Sequence, residues 1–332
     1  MVLSHSFALS GNKEPLIGTV TLGTAGVWVF FILSGYLIAI SWDQYPRFNV
    51  FFAKRALRVF PGLIVNVLLT VLVIGAVYSA MPFWEFLSKN ATLEYLNNIF
   101  LYTREHALPG VFTDNIYPKE VNGSLWTLAY EFTMYITVAL IGVFNIYKKV
   151  SAVKIWASLF ILEAIILLSN VNLRGVTIFF LHPDRLIFLA LLFFSGIVMY
   201  KYAHKIKLSY KWGSASFVAF LLAATLLPQF TPLYGATLLA YAVFSIGRSS
   251  LMSGVSKIGD LSYGIYIYSF PIQQMVAAST HTHSPLKLFL ASFVLSMVAA
   301  ALSWHFIEAR ALGLKHKINT KKYPLLQADE AW

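Results

Sequence analysis

Three features of this 332-residue sequence predict an all-α, polytopic membrane fold. Hydrophobic residues make up 58% of it and charged residues 12%, and its mean hydropathy is +0.69, outside the range of soluble domains. Apolar runs recur at 26–40, 59–78, 156–169, 186–200, 217–227 and 286–304, several near the roughly 20 residues that a spanning helix needs. They lack period-2 alternation. Because a bilayer leaves every backbone polar group to be satisfied internally, such runs are helices rather than barrel strands.

Ten segments follow in order, near 1–10, 22–42, 59–79, 124–146, 155–170, 175–201, 213–228, 232–247, 261–279 and 286–307, within a single domain over 1–332. Residues 1–10 rise only about 15 Å as a helix, half of what the hydrocarbon core requires, so the expectation is an incomplete first span, truncated at its start. Between the third and fourth segments, 80–123 contains a stretch at 90–102 with Leu93, Leu96, Ile99 and Phe100 at helical spacing, expected as an interfacial or re-entrant helix. The sixth segment is expected to break at His182-Pro183-Asp184. Pro61, Pro228 and Pro232 are placed near helix ends, and Pro271 falls inside the ninth segment, where a kink is expected. No internal repeat or inverted symmetry is visible, which weakens a transporter reading.

The net charge of +11 does not form one basic soluble face, so nucleic acid is not an expected partner. Alternating the loops, and counting Lys201 at its helix end, puts 18 of the 25 Lys and Arg in 43–58, 147–154, 202–212, 248–260 and the tail after 307. The positive-inside rule assigns that set, and with it both termini, to the cytoplasm. Lys13, Lys89, Arg104, Lys119, Arg174, Arg185 and Lys287 fall outside. With no cysteine, disulfides, thiolate metal sites and a thiol nucleophile are excluded. The His281-Thr-His283 loop lacks further ligands, so no metal is expected.

Candidate chemistry lies in a few polar residues. Arg55 and Arg58 are three apart on one helix face, a phosphate clamp in outline that suits a nucleotide-containing donor; the same spacing suits ordinary cytoplasmic anchors with snorkelling side chains. Glu131 lies about two turns into the fourth segment with Ser124 and Thr127 for company, and Glu163 sits mid-span. Ionisable groups at such depth are costly, so function is the default, with a paired bundle-facing carboxyl as the alternative for Glu163. His5, inside the first apolar segment, suits either a general base or a structural hydrogen-bonding residue. Gly26, Gly35, Gly75 and Gly264 suit close helix approach, while the Ser34-Gly35-Tyr36 stretch also suits a cavity wall. Tyr263, Tyr266 and Tyr268 suit either interface belts or sugar-stacking rings.

Together these stretches resemble the membrane acyltransferase-3 family, whose members O-acetylate lipopolysaccharide, exopolysaccharide, peptidoglycan and small glycosides. The matching motifs run in the family's order: Gly26-Val-Trp-Val-Phe-Phe-Ile-Leu-Ser-Gly-Tyr-Leu-Ile38, Arg55-Ala-Leu-Arg58 before Phe60-Pro61, Ser124-Leu-Trp-Thr-Leu-Ala-Tyr-Glu131, Leu261-Ser-Tyr-Gly-Ile-Tyr-Ile267 and Phe306-Ile-Glu308. The resemblance implies that His5, Arg55 and Arg58 serve use of an acyl donor. The arginine that the family places eleven residues before this histidine would fall before residue 1. Ser269 stands where a histidine often precedes the ninth segment's proline, and the family's terminal Glu-Lys-Pro reads Glu308-Ala-Arg.

The functional expectation is an O-acyltransferase of the bacterial inner membrane, with acyl-CoA, most simply acetyl-CoA, as co-substrate rather than bound cofactor. The acceptor is expected to be a hydroxyl of a cell-surface or exported polysaccharide or glycolipid. Arg55 and Arg58 hold the donor, His5 is the base, and Glu131 orients His5 or the acceptor. Ser34, Gly35, Tyr36, Ser124, Trp126 and Tyr263 are candidates for the cavity or acceptor site. The rival readings are a transporter or flippase for a glycan or lipid-linked solute, and a non-catalytic scaffold.

Overall fold

The computed structural model describes residues 1–103, 105–169, 171, 173, 175–247 and 260–314. The predicted outward residues Arg104 and Arg174, the predicted cytoplasmic loop at 248–259 and the tail from 315 lie outside the described residues.

Each of the ten predicted segments contains a helix. They form α1 (Val2–Leu9), α2 (Leu22–Gln44), α3 (Phe48–Tyr78), α6 (Trp126–Val143), α7 (Ala152–Ser169), α8 (Pro183–Lys201), α9 (Tyr210–Leu226), α10 (Pro228–Gly247), α11 (Ser262–Thr280) and α12 (Pro285–Gly313). Between α3 and α6 lie two short helices, α4 (Phe83–Ser88) and α5 (Asn90–Leu96), the latter continued by a tight turn over Asn97–Phe100 where the sequence predicts a helix. Seven are long and apolar enough to cross a membrane: α2, α3, α6, α7, α8, α10 and α12. The other three fall short for local reasons: α1 has 8 residues, α9 has 17, and α11 carries Gln273 and Gln274 in its interior. A two-residue hairpin, Leu16–Ile17 with Val20–Thr21, joins α1 to α2 and was not expected; its turn uses Gly18 at φ +64°, a left-handed conformation that glycine adopts without strain.

Three sequence expectations are corrected. The sixth segment is not a helix broken at His182-Pro183-Asp184: 175–182 is irregular, with Ile178 bridged to Leu181, and α8 starts cleanly at Pro183. A proline at the first helical position loses no bond and supplies the right φ. The third segment starts at Phe48, not 59, so Lys54, Arg55 and Arg58 of the expected loop lie well inside a helix, and Pro61 lies inside it too. That helix widens into a π turn over Thr70–Gly75.

Pro271, by contrast, lies inside α11 as predicted, and the helix continues past it. Its missing N–H orphans the carbonyl of Ile267, one turn back. Asn66 of α3 and Asn122 each donate a side-chain amide to that oxygen, at 3.0 and 2.9 Å, and Asn122 also donates to Asn66 Oδ1 at 3.2 Å. A bilayer interior offers no water for this, so neighbouring side chains take the role.

Between lipid-embedded helices there is little hydrophobic drive, and close packing at small residues decides which pairs associate. Helices α2 and α8 approach backbone to backbone. A Cβ on Gly35 would stand 1.8 Å from the carbonyl oxygen of Phe193, and one on Gly196 would stand 1.9 Å from that of Ile32. Gly264 similarly faces the backbone of Ala300, joining α11 to α12.

The segment between α3 and α6 caps one end of the bundle. There Gln274 donates to the carbonyls of Tyr117 and Glu120 at 2.8 and 2.7 Å, and Asn12 donates to that of His283 at 2.9 Å. At the opposite end α2 and α8 are joined by Asp43 and Lys201 at 2.6 Å.

Candidate active site

His5 lies toward the capped end, on α1. The serines beside it fix that helix from two sides. Ser4 Oγ donates to the Glu14 carboxylate and accepts the backbone N–H of Gly23 at 2.8 Å, tying α1 to α2. Ser6 Oγ and the Val2 carbonyl accept from the Gln273 amide at 2.7 and 2.8 Å, tying it to α11. Between them the His5 ring stands edge-on to Phe270, 5.2 Å between centroids. Its Nδ1 is buried and has no hydrogen-bond partner among the described residues.

The ring lines a cavity of about 680 Å³, together with Glu14, Glu120, Trp126, Arg185 and Phe270. Trp126 and Arg185 form one wall, the guanidinium carbon 5.3 Å from the indole ring. Glu120 is engaged by His106 Nδ1 at 2.8 Å. An aromatic wall beside carboxylates and a guanidinium suits a polyhydroxylated ligand, with the ring supplying a flat apolar surface and the charged groups supplying hydrogen bonds. Of the acceptor candidates read from sequence, only Trp126 lines this cavity.

A second cluster lies toward the opposite end. The Glu131 carboxylate accepts from the Tyr135 hydroxyl, one turn along α6, and Ser34, Arg55 and Arg58 stand close around it. Arg55 Nε is buried without a hydrogen-bond partner among the described residues. Arg58 is committed elsewhere: its Nη2 lies 2.5 Å from Asp260, its Nη1 lies 3.4 Å from Glu308, and its guanidinium carbon lies 5.4 Å from the Tyr263 ring. Ser303 donates to the other Glu308 oxygen at 2.8 Å, and Tyr263 donates to the Val59 carbonyl at 2.6 Å. Gly62 makes room for that tyrosine, since a Cβ there would come within 2.9 Å of its ring.

The structure therefore divides the residues predicted as one site. Arg55, Arg58, Glu131, Ser34 and Tyr263 come together; His5 and Trp126 come together elsewhere. Glu131 is not brought to His5: it bonds to Tyr135 and does not line the His5 cavity. Ser34, Gly35 and Tyr36, candidates for a cavity wall, do not share one face, because helical geometry sends successive residues in different directions. Only Ser34 faces Glu131, while Gly35 abuts α8 and Tyr36 packs against Tyr200 and Phe244. Ser124 is buried, its carbonyl accepting from Tyr266. Glu163 is buried on α7, with one carboxyl oxygen unpartnered among the described residues.

Sequence reasoning passed over Gln273, which ties α11 to α1 beside His5, over Glu14, Glu120 and Arg185 at the cavity, and over Asp260 at Arg58. Gln273 had a visible signal, two adjacent amides inside an apolar run. The others look like ordinary loop or helix-end charges until the chain is folded.

Comparison with known proteins gives this arrangement a chemical context. Residues 1–305 match an acyltransferase domain. A protein of Shigella phage Sf6 described as "O-acetyl transferase" is 30% identical over 340 residues, covering 99% of this chain and 95% of its own. "Nodulation protein 10" of Rhizobium leguminosarum bv. viciae is 26% identical over 355 residues, covering 97% of this chain and 92% of its own. No solved structure matches significantly.

Proposed function

The chain belongs to the acyltransferase-3 family and is a membrane acyltransferase, and we propose that it moves an acetyl group from acetyl-CoA to a hydroxyl of a cell-surface or exported polysaccharide or glycolipid. The observation that carries this reading is His5, its Nδ1 unpartnered, beside a cavity of about 680 Å³. The description of the phage relative as an O-acetyl transferase supports acetyl as the group moved and oxygen as its destination.

The two clusters correspond to two substrates. Arg55 and Arg58 hold the donor's phosphates, with the guanidinium fork matching phosphate oxygens. They face the cytoplasm of a bacterial inner membrane, in keeping with the basic loops at that end. The acceptor enters from the capped end and rests against Trp126, where Glu120 and Arg185 reach its polar groups. The acceptor oxygen attacks the thioester carbonyl while His5 takes the hydroxyl proton. As the tetrahedral intermediate collapses, the carbon–sulfur bond breaks and that proton passes to the leaving sulfur, giving the ester and free thiol. Thioester hydrolysis competes with transfer, so the buried surroundings of the ring serve to exclude bulk water. Glu131 acts as counter-charge to the arginines rather than as a support for His5.

Replacing His5 with Gln tests the reading. Gln keeps hydrogen bonding but cannot take and release the proton, so transfer should fall roughly 10²–10⁴-fold with expression intact. The readout is O-acetyl content of surface polysaccharide by mass spectrometry, alongside stoichiometric release of CoA. Transfer at the parent rate would make His5 structural and direct attention to Glu131 or Glu163 as the base.

A further inference from the structure

Arg58 is held by two carboxylates in very different settings. The Glu308 side chain is 2% exposed and is fixed on its far side by Ser303 at 2.8 Å. The Asp260 side chain is 52% exposed and lies just before α11, where its other oxygen accepts from the hydroxyl and backbone N–H of Ser262. The contacts differ as well: Nη2 to Asp260 is 2.5 Å, against 3.4 Å from Nη1 to Glu308. The closer carboxylate is thus the one at the solvent edge, on the side from which a water-soluble anion arrives.

We infer that Asp260 is an exchangeable counter-ion that a donor phosphate displaces from Arg58, whereas Glu308 is the fixed one. This rests on the reading of Arg55 and Arg58 as the donor's anchors. An arginine inside a bundle is costly without a counter-charge, which Asp260 supplies while the donor is absent. A phosphate needs the same Nη2 edge, and carboxylate and phosphate cannot both occupy it. On release Asp260 keeps its hydrogen bonds to Ser262 and returns to water at little cost, while Glu308 goes on orienting the guanidinium through Nη1. Asp260 therefore sets donor affinity by competition and touches neither the acyl group nor the acceptor.

The test uses the full chain in lipid nanodiscs and equilibrium binding of CoA. Asp260→Asn should tighten CoA binding about two- to fivefold, the size expected for removing a half-exposed ion pair. Asp260→Glu, which keeps the charge, should not tighten it. Asp43→Asn, which removes a carboxylate paired with Lys201 instead, should leave CoA affinity unchanged and so controls for general charge. In an Arg58→Gln background, Asp260→Asn should have no further effect. If Arg58→Gln weakens CoA binding but Asp260→Asn leaves it unchanged or weaker, the exchange is refuted while the donor site stands. If Arg58→Gln leaves CoA affinity untouched, the donor reading itself fails and the exchange with it. Equal tightening by Asp43→Asn would reduce the effect to net charge and overturn the inference as well.

Discussion

Replacing Gly35 with Ala tests the packing on which the site depends. The added Cβ would stand 1.8 Å from the Phe193 carbonyl oxygen, where real contacts rarely close below 3.0 Å, a deficit of about 1.2 Å. The obstacle is helix backbone, so no side chain can turn aside and α2 must move away from α8. Overpacking of this kind costs about 1–3 kcal/mol. The cost should exceed the slight gain from replacing glycine in a helix, about 1 kcal/mol at most. Gly313, with nothing among the described residues within 4 Å of an added Cβ, is the control, and Gly313→Ala should be neutral or slightly stabilising. Thermal unfolding in detergent, followed by tryptophan fluorescence, reads both variants. Ser34 is the neighbouring residue and faces Glu131, so Gly35→Ala should also lower transfer. Unchanged melting and transfer in Gly35→Ala would refute the contact and with it the relative placement of α2 and α8.

The absence of cysteine makes thiol labelling clean: single cysteines at Lys119 and Lys205 should label from opposite sides of the membrane, and labelling from one side would refute the arrangement drawn from the basic loops. Arg55→Ala should weaken CoA binding by about 1.5–3 kcal/mol, the worth of hydrogen bonds to a charged group, with Lys restoring only part; unchanged affinity would return Arg55 to a structural role. Asn122→Ala removes donors to the Ile267 carbonyl and to Asn66, and at about 0.6 kcal/mol for each interhelical bond it should cost about 1 kcal/mol of stability in detergent. A melting temperature equal to the parent's would show that the carbonyl before Pro271 does not need that partner.

Much of the fold was legible because a bilayer restricts what a chain can do. The ten apolar segments became helices since no other open structure satisfies its backbone there. The place of Pro271 inside a helix and the packing role of Gly35 were readable because each depends on a property local to one residue. The errors arose where locality ended. The start of α3 was placed eleven residues late because Lys54, Arg55 and Arg58 look like loop charges, although their partners inside the fold, among them Glu308 and the Tyr45 ring beneath Lys54, let the helix carry them. His182-Pro183-Asp184 looked like a break because a proline stops a helix from one side and starts it from the other.

The sequence by itself determined the solvent of this protein, its helical class, its family and the identity of His5, Arg55 and Arg58 as residues of interest. These follow from composition, periodicity and motifs, which are properties of short stretches. Only the tertiary structure decided that these residues form two clusters rather than one, that Glu131 belongs with the arginines, and that Arg58 is shared by Asp260 and Glu308. Arg58 and Glu308 are 250 positions apart. Their meeting depends on how α3, α11 and α12 pack, and a packing geometry is a property of helix pairs that no single segment encodes.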